Sequence, residues 1–478
     1  MKASLSSAKW MILSIAACWV GTGGCNGKVN DSQPTLQTTV RVSISSSNAE
    51  GNLDCVNDAI GISNDGRFVS FTSRASNLVV GDSNNVADVF LRDNRGRTLV
   101  LVSVSLAGGP ANGASGNSSV SGDGNYVVFT SVATNLTVDA VTPGKKMVYV
   151  RDIAAGVTTL VSRATGAGGL IANDDCNNPK ISNDGTCVVF DSVANNLDGV
   201  VGPGGDDNDG IIDVWRRKWI DGTSTFPTEL VSFASGSTSP GGTKGDNASI
   251  KAAVSGDGRY VAFESNATNL VTASQDGGPD LNTFTDVFVR DTQTFRTVRC
   301  SVEIAGTLFP NALAGPSQSA AISLSGLLVS FRSVSGLLSV LAQETTPNIY
   351  VRSWFAVLPD VPFTEVLSVH TSGATGGQNC DRPAIAGDGS KIAWQSPSPA
   401  LVNGDSNGVL DIFLRNRTTQ ATSRESVQTF GGQLDGQSGI PTYSPDGRYI
   451  VFWTQATNGV DDDTNGAADI YMRGPPFK

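Results

Sequence analysis

Five stretches of the chain set carboxylate and amide side chains at alternate positions ahead of an apolar run. They are Asp82/Asn84/Asp88, Asp207/Asp209/Asp213, Asp280/Asn282/Asp286, Asp405/Asn407/Asp411 and Asp463/Asn465/Asp469, the last reaching back to Asp461 and crossing Gly466. Oxygen donors at alternate positions round a glycine-enabled turn suit Ca2+, which takes about six to eight hard oxygens. The bidentate Glu that closes an EF-hand loop is missing. The competing assignment is structural: Asp and Asn cap their own backbone in Asx-turns, and the final Asp fixes the entry to a strand. Two stretches in the same register end instead at Met147 and Asn348, so they are internal controls at which no ion is expected.

Other candidate chemistry is sparser. An Arg recurs after each apolar run, at Arg92, Arg151, Arg216, Arg290, Arg352, Arg415 and Arg473. A ring of anion-binding guanidiniums is one reading. Recurrence at every repeat favours a structural one, in which each Arg pairs with the Asp of a nearby Asp-Gly turn. His370 is the single histidine and no G-x-S-x-G elbow accompanies it, so a Ser-His-Asp triad has no support. No C-x-x-C pair exists, which removes the zinc and redox readings. Carboxylate-pair glycosidase chemistry stays open, but none of the 44 acidic residues is singled out for it. No catalytic or cofactor-binding residue is therefore assigned, and the chain is expected not to be an enzyme. Ca2+ is the only cofactor considered.

The elements that would position these groups repeat seven times. A Ser-x-Asp-Gly turn and an apolar strand recur as SNDGRFVSF at Ser63, SGDGNYVVF at Ser121, SNDGTCVVF at Ser182, SGDGRYVAF at Ser255, SLSGLLVSF at Ser323, AGDGSKIAW at Ala386 and SPDGRYIVF at Ser444. The turn glycines lie 58 to 73 residues apart. Such a period marks an array of units, each too small to bury its own apolar face. Each unit reads as four strands, in the first repeat Ala59–Ser63, Phe68–Ser73, Asp88–Arg92 and Leu99–Ser103. Four-stranded units repeated radially make a β-propeller. The fourth strand usually reads Thr-x-x-x-Ser, and the last repeat lacks one. TVRVS at Thr39–Ser43 supplies it, so this strand is expected to complete the seventh blade and close the ring. Six or eight blades are the alternatives.

The opening residues read as a processing segment. Lys2 and Lys9 precede the apolar run Trp10–Val20, too short to span a bilayer, so residues 1–25 are expected to be an export signal. Cys18 and Cys25 are the two candidate lipidation sites, with ordinary cleavage as the alternative, and residues 26–38 read as a flexible tether. The propeller then occupies 39–478. Five cysteines remain; Cys55, Cys176 and Cys380 precede corresponding strands of different blades, too far apart to bridge, so buried free thiols are expected. A net charge of −11 without clustered Lys or Arg excludes nucleic acid as partner.

The repeat phrases resemble those of the TolB-like propellers of bacterial envelope proteins, with WD-like repeats. Ser444-Pro445-Asp446-Gly447 matches that family's Ser-Pro-Asp-Gly, and the fifth repeat departs most, with Ser325 for the Asp. The resemblance spans Thr39 to Arg473 and implies an all-β propeller, although the best-known members have six blades. It implies roles in binding proteins or envelope components, with an attached or built-in hydrolase or lyase in some members. The expectation is thus an exported, monomeric, non-catalytic scaffold that binds an unknown protein or envelope ligand and meets membrane only through an N-terminal lipid. The alternative is a carboxylate-dependent polysaccharide hydrolase or lyase with its site in the propeller channel. An enzyme would need acids with shifted pKa values converging in that channel.

Overall fold

Each Ser-x-Asp-Gly phrase folds as a tight turn between two antiparallel strands, and two more strands complete each sheet. The computed structural model describes residues 36–477 apart from 200–206, 208, 221, 223–224, 239–241, 273–278, 303–314, 335–345, 356–362, 375 and 377–378. The leader, with Cys18 and Cys25, lies outside the described residues. Seven four-stranded antiparallel sheets follow one another round a ring. In blade 1 the strands are Gly61–Ile62, Phe68–Ser73, Asp88–Asp93 and Thr98–Leu101. The first strands of successive blades pack against each other, and the first strand of blade 1 meets that of blade 7, Ser438–Tyr443. First strands therefore face the axis. Among the described residues no helix is long and apolar enough to cross a membrane.

Closure occurs as the missing strand requires. Thr38–Arg41 pairs antiparallel with Asp469–Gly474, with Thr39 opposite Arg473 and Arg41 opposite Tyr471. Val42 N–H continues the ladder to the carbonyl of Ile470 at 2.7 Å. Joining the two ends of the chain in one sheet removes two exposed sheet edges.

The second strands are buried on both faces. Their aromatic residue stacks on that of the third strand, as in Phe71–Phe90, Phe129–Tyr149 and Phe263–Phe288, with ring centroids 5.8–5.9 Å apart. Blades are locked to each other at the Asp-Gly turns. Gly124 has φ +80°, and a Cβ there would lie 2.1 Å from the Phe68 ring of the preceding blade. Glycine is thus required twice, by the left-handed backbone and by the ring seated on it. The residue after each turn serine hydrogen-bonds its counterpart in the next blade or that counterpart's neighbour. These bonds run through Asn64, Gly122, Asn183 and Asp184, Gly256, Leu324, Gly387, Pro445 and Asp446, and back to Asn64, at 2.8–3.2 Å. This closed belt narrows one end of the axial channel, and the Leu324 side chain covers Gly256 and Gly387 there.

The expected pairing of the third-strand Arg with the turn Asp is corrected. Each turn Asp is used locally: Asp65 Oδ1 accepts from Ser63 Oγ at 3.1 Å and from Arg67 N–H at 3.0 Å. The arginines reach the other way, to the Thr of the fourth strand and to carbonyls leaving the previous blade. Arg290 Nη1 donates to Thr297 Oγ1 at 2.9 Å and to Ala234 O at 3.0 Å, and Thr297 Oγ1 donates to Phe233 O at 2.9 Å. In blade 3 the equivalent residue is Arg217, not Arg216; it binds Thr228 Oγ1 at 2.6 Å and Ala164 O at 2.8 Å. The Arg bonds the Thr opposite it in six blades, and in blades 3 and 4 the pair staples adjacent blades through carbonyls that would otherwise be buried unpaired. In blade 1 Leu99 stands opposite Arg92, which reaches the carbonyls of Ile44 and Ser45 alone. The five described cysteines are free and buried, as expected.

Candidate functional site

The five Asp/Asn loops join the second and third strands, and their final Asp opens the third strand at full burial. Asp88 Oδ1 accepts from Ser103 Oγ at 2.5 Å and its Oδ2 accepts from Asn84 Nδ2 at 2.7 Å. The same serine, the last residue of Thr-x-x-x-Ser, holds Asp213, Asp286, Asp411 and Asp469. The middle Asn or Asp caps its own loop: Asn84, Asn282, Asn407 and Asn465 each accept a backbone N–H two residues on through Oδ1.

Four of the loops also hold a cation from the chain itself. Lys244 Nζ lies 2.7 Å from Asp207, 2.8 Å from Asp209 and 2.5 Å from Asp213. Arg299 stands 3.3 Å from Asp280 and 3.9 Å from Asp286, and Arg424 stands 3.2 Å from Asp405 and 4.0 Å from Asp411. In blade 7 the closing strand brings Arg41 to Asp463 and Asp469, at 3.4 and 3.5 Å, and to Glu50 at 2.8 Å. Asp461 is exposed and is not drawn into this cluster. Among the described residues the blade 1 loop, Asp82/Asn84/Asp88, has no such partner; Leu101 stands where blades 4, 6 and 7 use Arg299, Arg424 and Arg41. Burial pushes Asp88 up to about 6. His370 Nδ1 lies 2.9 Å from Ser372 Oγ in its own loop, so no triad forms round it.

A second constellation was not singled out by sequence reasoning. Every first strand except that of blade 1 carries a bulge whose third residue has a left-handed backbone: Asn117, Asn178, Lys251, Ser319, Arg382 and Ile440, at φ 50–56°. Four of these turn their N–H to a side-chain oxygen of the preceding blade. Asn117 N donates to Asp58 Oδ2 at 2.8 Å, Lys251 N to Asp191 Oδ2 at 2.8 Å, Ser319 N to Glu264 Oε1 at 2.7 Å and Ile440 N to Gln395 Oε1 at 2.9 Å. Around them lies an axial cavity of about 200 Å3 lined by Asn117, Asn178, Lys180, Lys251, Glu264 and Arg382.

Burial dominates its electrostatics. It raises Asp58 to about 6 and also raises Asp191 and Glu264, because charge is disfavoured where water is scarce. Burial lowers Lys180, partly offset by Asp58. Glu264 is fully buried, and its Oε2 has no hydrogen-bond donor; Lys251 Nζ stands 3.5 Å away. Asp58 Oδ1 is likewise buried and unbonded. The signal for this site was present in the repeat. In FVSFTS, YVVFTS, CVVFDS, YVAFES, LVSFRS, KIAWQS and IVFWT the residue after the aromatic that stacks on the third strand takes six identities in seven repeats, at Thr72, Thr130, Asp191, Glu264, Arg332, Gln395 and Trp453.

No protein-family model matches the chain, and no curated protein matches it by sequence. Solved structures do match by fold. An oligogalacturonate lyase in complex with manganese superposes with a TM-score of 0.52 at 11% identity, covering 93% of this chain and 94% of that one. An oligogalacturonate lyase from Vibrio parahaemolyticus gives 0.50 at 10% identity, covering 92% and 97%. TolB from Acinetobacter baumannii gives 0.34 at 13% identity, covering 78% and 81%. The likeness to the two lyases is one of fold alone: an all-β propeller, here of seven blades.

The expectation that the chain is not an enzyme is corrected by these matches. It rested on the single histidine and on the lack of an appended hydrolase domain. Lyases share this architecture over more than nine-tenths of both chains. The propeller can therefore carry a reaction without a second domain. The manganese of one of them has no fitting donor set in this channel. Asp58, Asp191 and Glu264 already accept backbone N–H groups, Lys251 stands beside Glu264 and Lys180 faces Asp58, a mixture that suits an anion-bearing ligand better than a divalent ion.

Proposed function

We propose that this chain is a carbohydrate-active enzyme, a lyase acting on acidic polysaccharide, with its site in the axial channel. The observation that carries the reading is a cavity lined by Glu264, Lys180, Lys251 and Arg382, with Asp58 and Asp191 behind its wall accepting the N–H groups of Asn117 and Lys251, all three acids having raised proton affinity. Shifted acids and bases in one concavity are the physical mark of acid–base chemistry. Lys251 and Arg382 are solvent-exposed and cationic, suited to meet a uronate carboxylate. Neutralising that carboxylate acidifies the adjacent C–H. Lys180, whose ammonium is disfavoured by burial, takes this proton. A double bond forms as the neighbouring C–O bond breaks, and the protonated Asp58 gives its proton to the departing oxygen. The cavity is smaller than the roughly 300–1,000 Å3 typical of ligand pockets, so it receives a single sugar unit. The superposed oligogalacturonate lyases support the substrate class as proteins of the same fold.

Export through residues 1–25, with lipid attachment at Cys18 or Cys25, is part of the same proposal, since an acidic glycan of the envelope or the surroundings is reached from outside the cytoplasm. The test is incubation of the purified chain with oligogalacturonate and other uronate oligosaccharides, following the ultraviolet absorbance of the unsaturated product. Reducing-end release from neutral glycans checks for hydrolysis instead. Absence of unsaturated product from every acidic glycan would overturn the lyase reading.

A further inference from the structure

A groove of about 490 Å3 opens at the seam where blade 7 meets blade 1, lined by none of the residues that line the channel cavity. One wall is apolar: Val40 of the closing strand, Met472, and Tyr449 with Phe477 stacked on it at 4.8 Å and 6°. The other wall holds three guanidiniums, Arg92, Arg95 and Arg97. Arg92 is 4% exposed, and its Nη1 donates to the carbonyls of Ile44 and Ser45 at 3.3 and 3.1 Å. Arg95 and Arg97 are exposed. Among the described residues no carboxylate forms an ion pair with any of the three, and the adjacent Asp93 is taken by Arg67 at 2.7 Å. Burial disfavours the charge of Arg92, partly offset by Asp93 and reinforced by Arg97.

The repeat gives an internal comparison. Between blades 3 and 4 the positions of Arg92, Arg95 and Arg97 hold Arg290, Gln293 and Phe295, and Glu229 occupies the position of Val40. Between blades 5 and 6 that position is Glu365, paired with Arg417 at 2.9 Å. Val100 and Val298 are apolar at that position as Val40 is, so what sets the seam between blades 7 and 1 apart is the added pair Arg95 and Arg97. On a chain of net charge −11 this concentrates two exposed arginines and one buried one beside an aromatic wall.

We infer that the seam groove binds an oxyanion, phosphate or carboxylate, carried on an apolar or aromatic body. Guanidinium forks match such anions in geometry and charge, and the Tyr449–Phe477 face takes the body. The source is either a free small molecule or an anionic lipid headgroup, and the chemistry is shared. The site is independent of the channel and of any reaction there.

Calorimetric titration of the full chain with phenyl phosphate and with inorganic phosphate tests it. Phenyl phosphate is expected to bind more tightly than inorganic phosphate, and both more weakly as salt rises. The double variant Arg95→Gln/Arg97→Asn, with Asn chosen because position 97 has φ 54°, should lose about tenfold or more in affinity while melting as the wild type does. Phe477→Ala should weaken phenyl phosphate alone. Co-sedimentation with phosphatidylglycerol but not phosphatidylcholine vesicles, lost in the double variant, would assign the anion to a lipid headgroup; phenyl phosphate binding without it assigns a free ligand. Failure of both probes to bind, or equal binding by the double variant, would overturn the inference.

Discussion

Lys244 places its ammonium 2.5 Å from the carboxylate of Asp213, a residue wholly removed from solvent. The same ammonium reaches Asp207 and Asp209, so one lysine sits among the three oxygens that the spacing offered to a metal. Burial raises Asp207 to about 7, and Lys244 is held firmly protonated by its three acids. One ammonium offsets part of the charge of three carboxylates, and burial favours the protonated form of Asp207 and Asp213.

Lys244→Met should therefore leave two buried carboxylates unpaired and cost about 3–5 kcal/mol, the range for breaking a buried pair from one side. Calcium should restore part of the lost melting temperature in the variant, by binding only the folded state. Wild-type melting curves with calcium and with chelator are expected to superpose. A clear calcium-dependent rise in the wild type would instead direct attention to Asp82, Asn84 and Asp88, the loop with no side-chain cation.

Much of the fold was legible because the repeat encodes it. The turn glycines, the paired aromatics and the orphan strand Thr39–Ser43 each had one geometric use. The Arg partner was misread because an Asp-Gly turn and an Arg look complementary in one dimension. In three, the Arg lies beside the Thr opposite it in the ladder, as Arg290 does beside Thr297. Arg216 was taken for Arg217 because two arginines adjoin in DVWRRK and only the register separates them. The channel site was missed for a deeper reason. Asp191 and Glu264 stand at the one variable position of the second strand, but Asp58 and Lys180 stand at no equivalent position, so only the ring brings the four together.

Turn glycines differ in what they do, and two substitutions separate the effects. Gly81→Ala, at φ +88° with open space around the site, should cost about 1–2 kcal/mol from the left-handed backbone alone. Gly124→Ala adds a collision with the Phe68 ring and should cost about 1–3 kcal/mol more. Chemical denaturation of both variants measures the difference. Equal losses would mean that the inter-blade seat of the ring contributes little.

Stability should rise as pH falls from neutrality toward 5. Burial lifts Asp58, Asp88 and Asp469 to about 6 in the folded chain, against about 3.9 for a free Asp. Between those values the folded state binds more protons than the unfolded one, so stability falls as pH rises through that window. Asp291 runs the other way: despite burial, Arg259 and neighbouring N–H groups hold it near 2, and its contribution is lost only in strong acid. The melting temperature should thus pass through a maximum near pH 4–5. A monotonic increase from pH 5 to 8 would contradict the placement of these three acids.

The channel variants give the sharpest test of the proposed activity. Glu264→Gln keeps the carbonyl oxygen that accepts Ser319 N–H, so the fold should survive while the unbonded Oε2 and its charge are lost. Lys180→Met keeps the length of the side chain but removes the amine. On an acidic oligosaccharide, Lys180→Met should lower kcat about 10²–10⁴-fold, the usual worth of a positioned base. Arg382→Gln should act chiefly on KM, because it meets the substrate's charge and not its reacting bond. The pH–rate profile should fall as pH rises through about 6, where Asp58 loses the proton it must donate. If turnover is found but neither Lys180→Met nor Glu264→Gln alters it, the reaction occurs outside the channel.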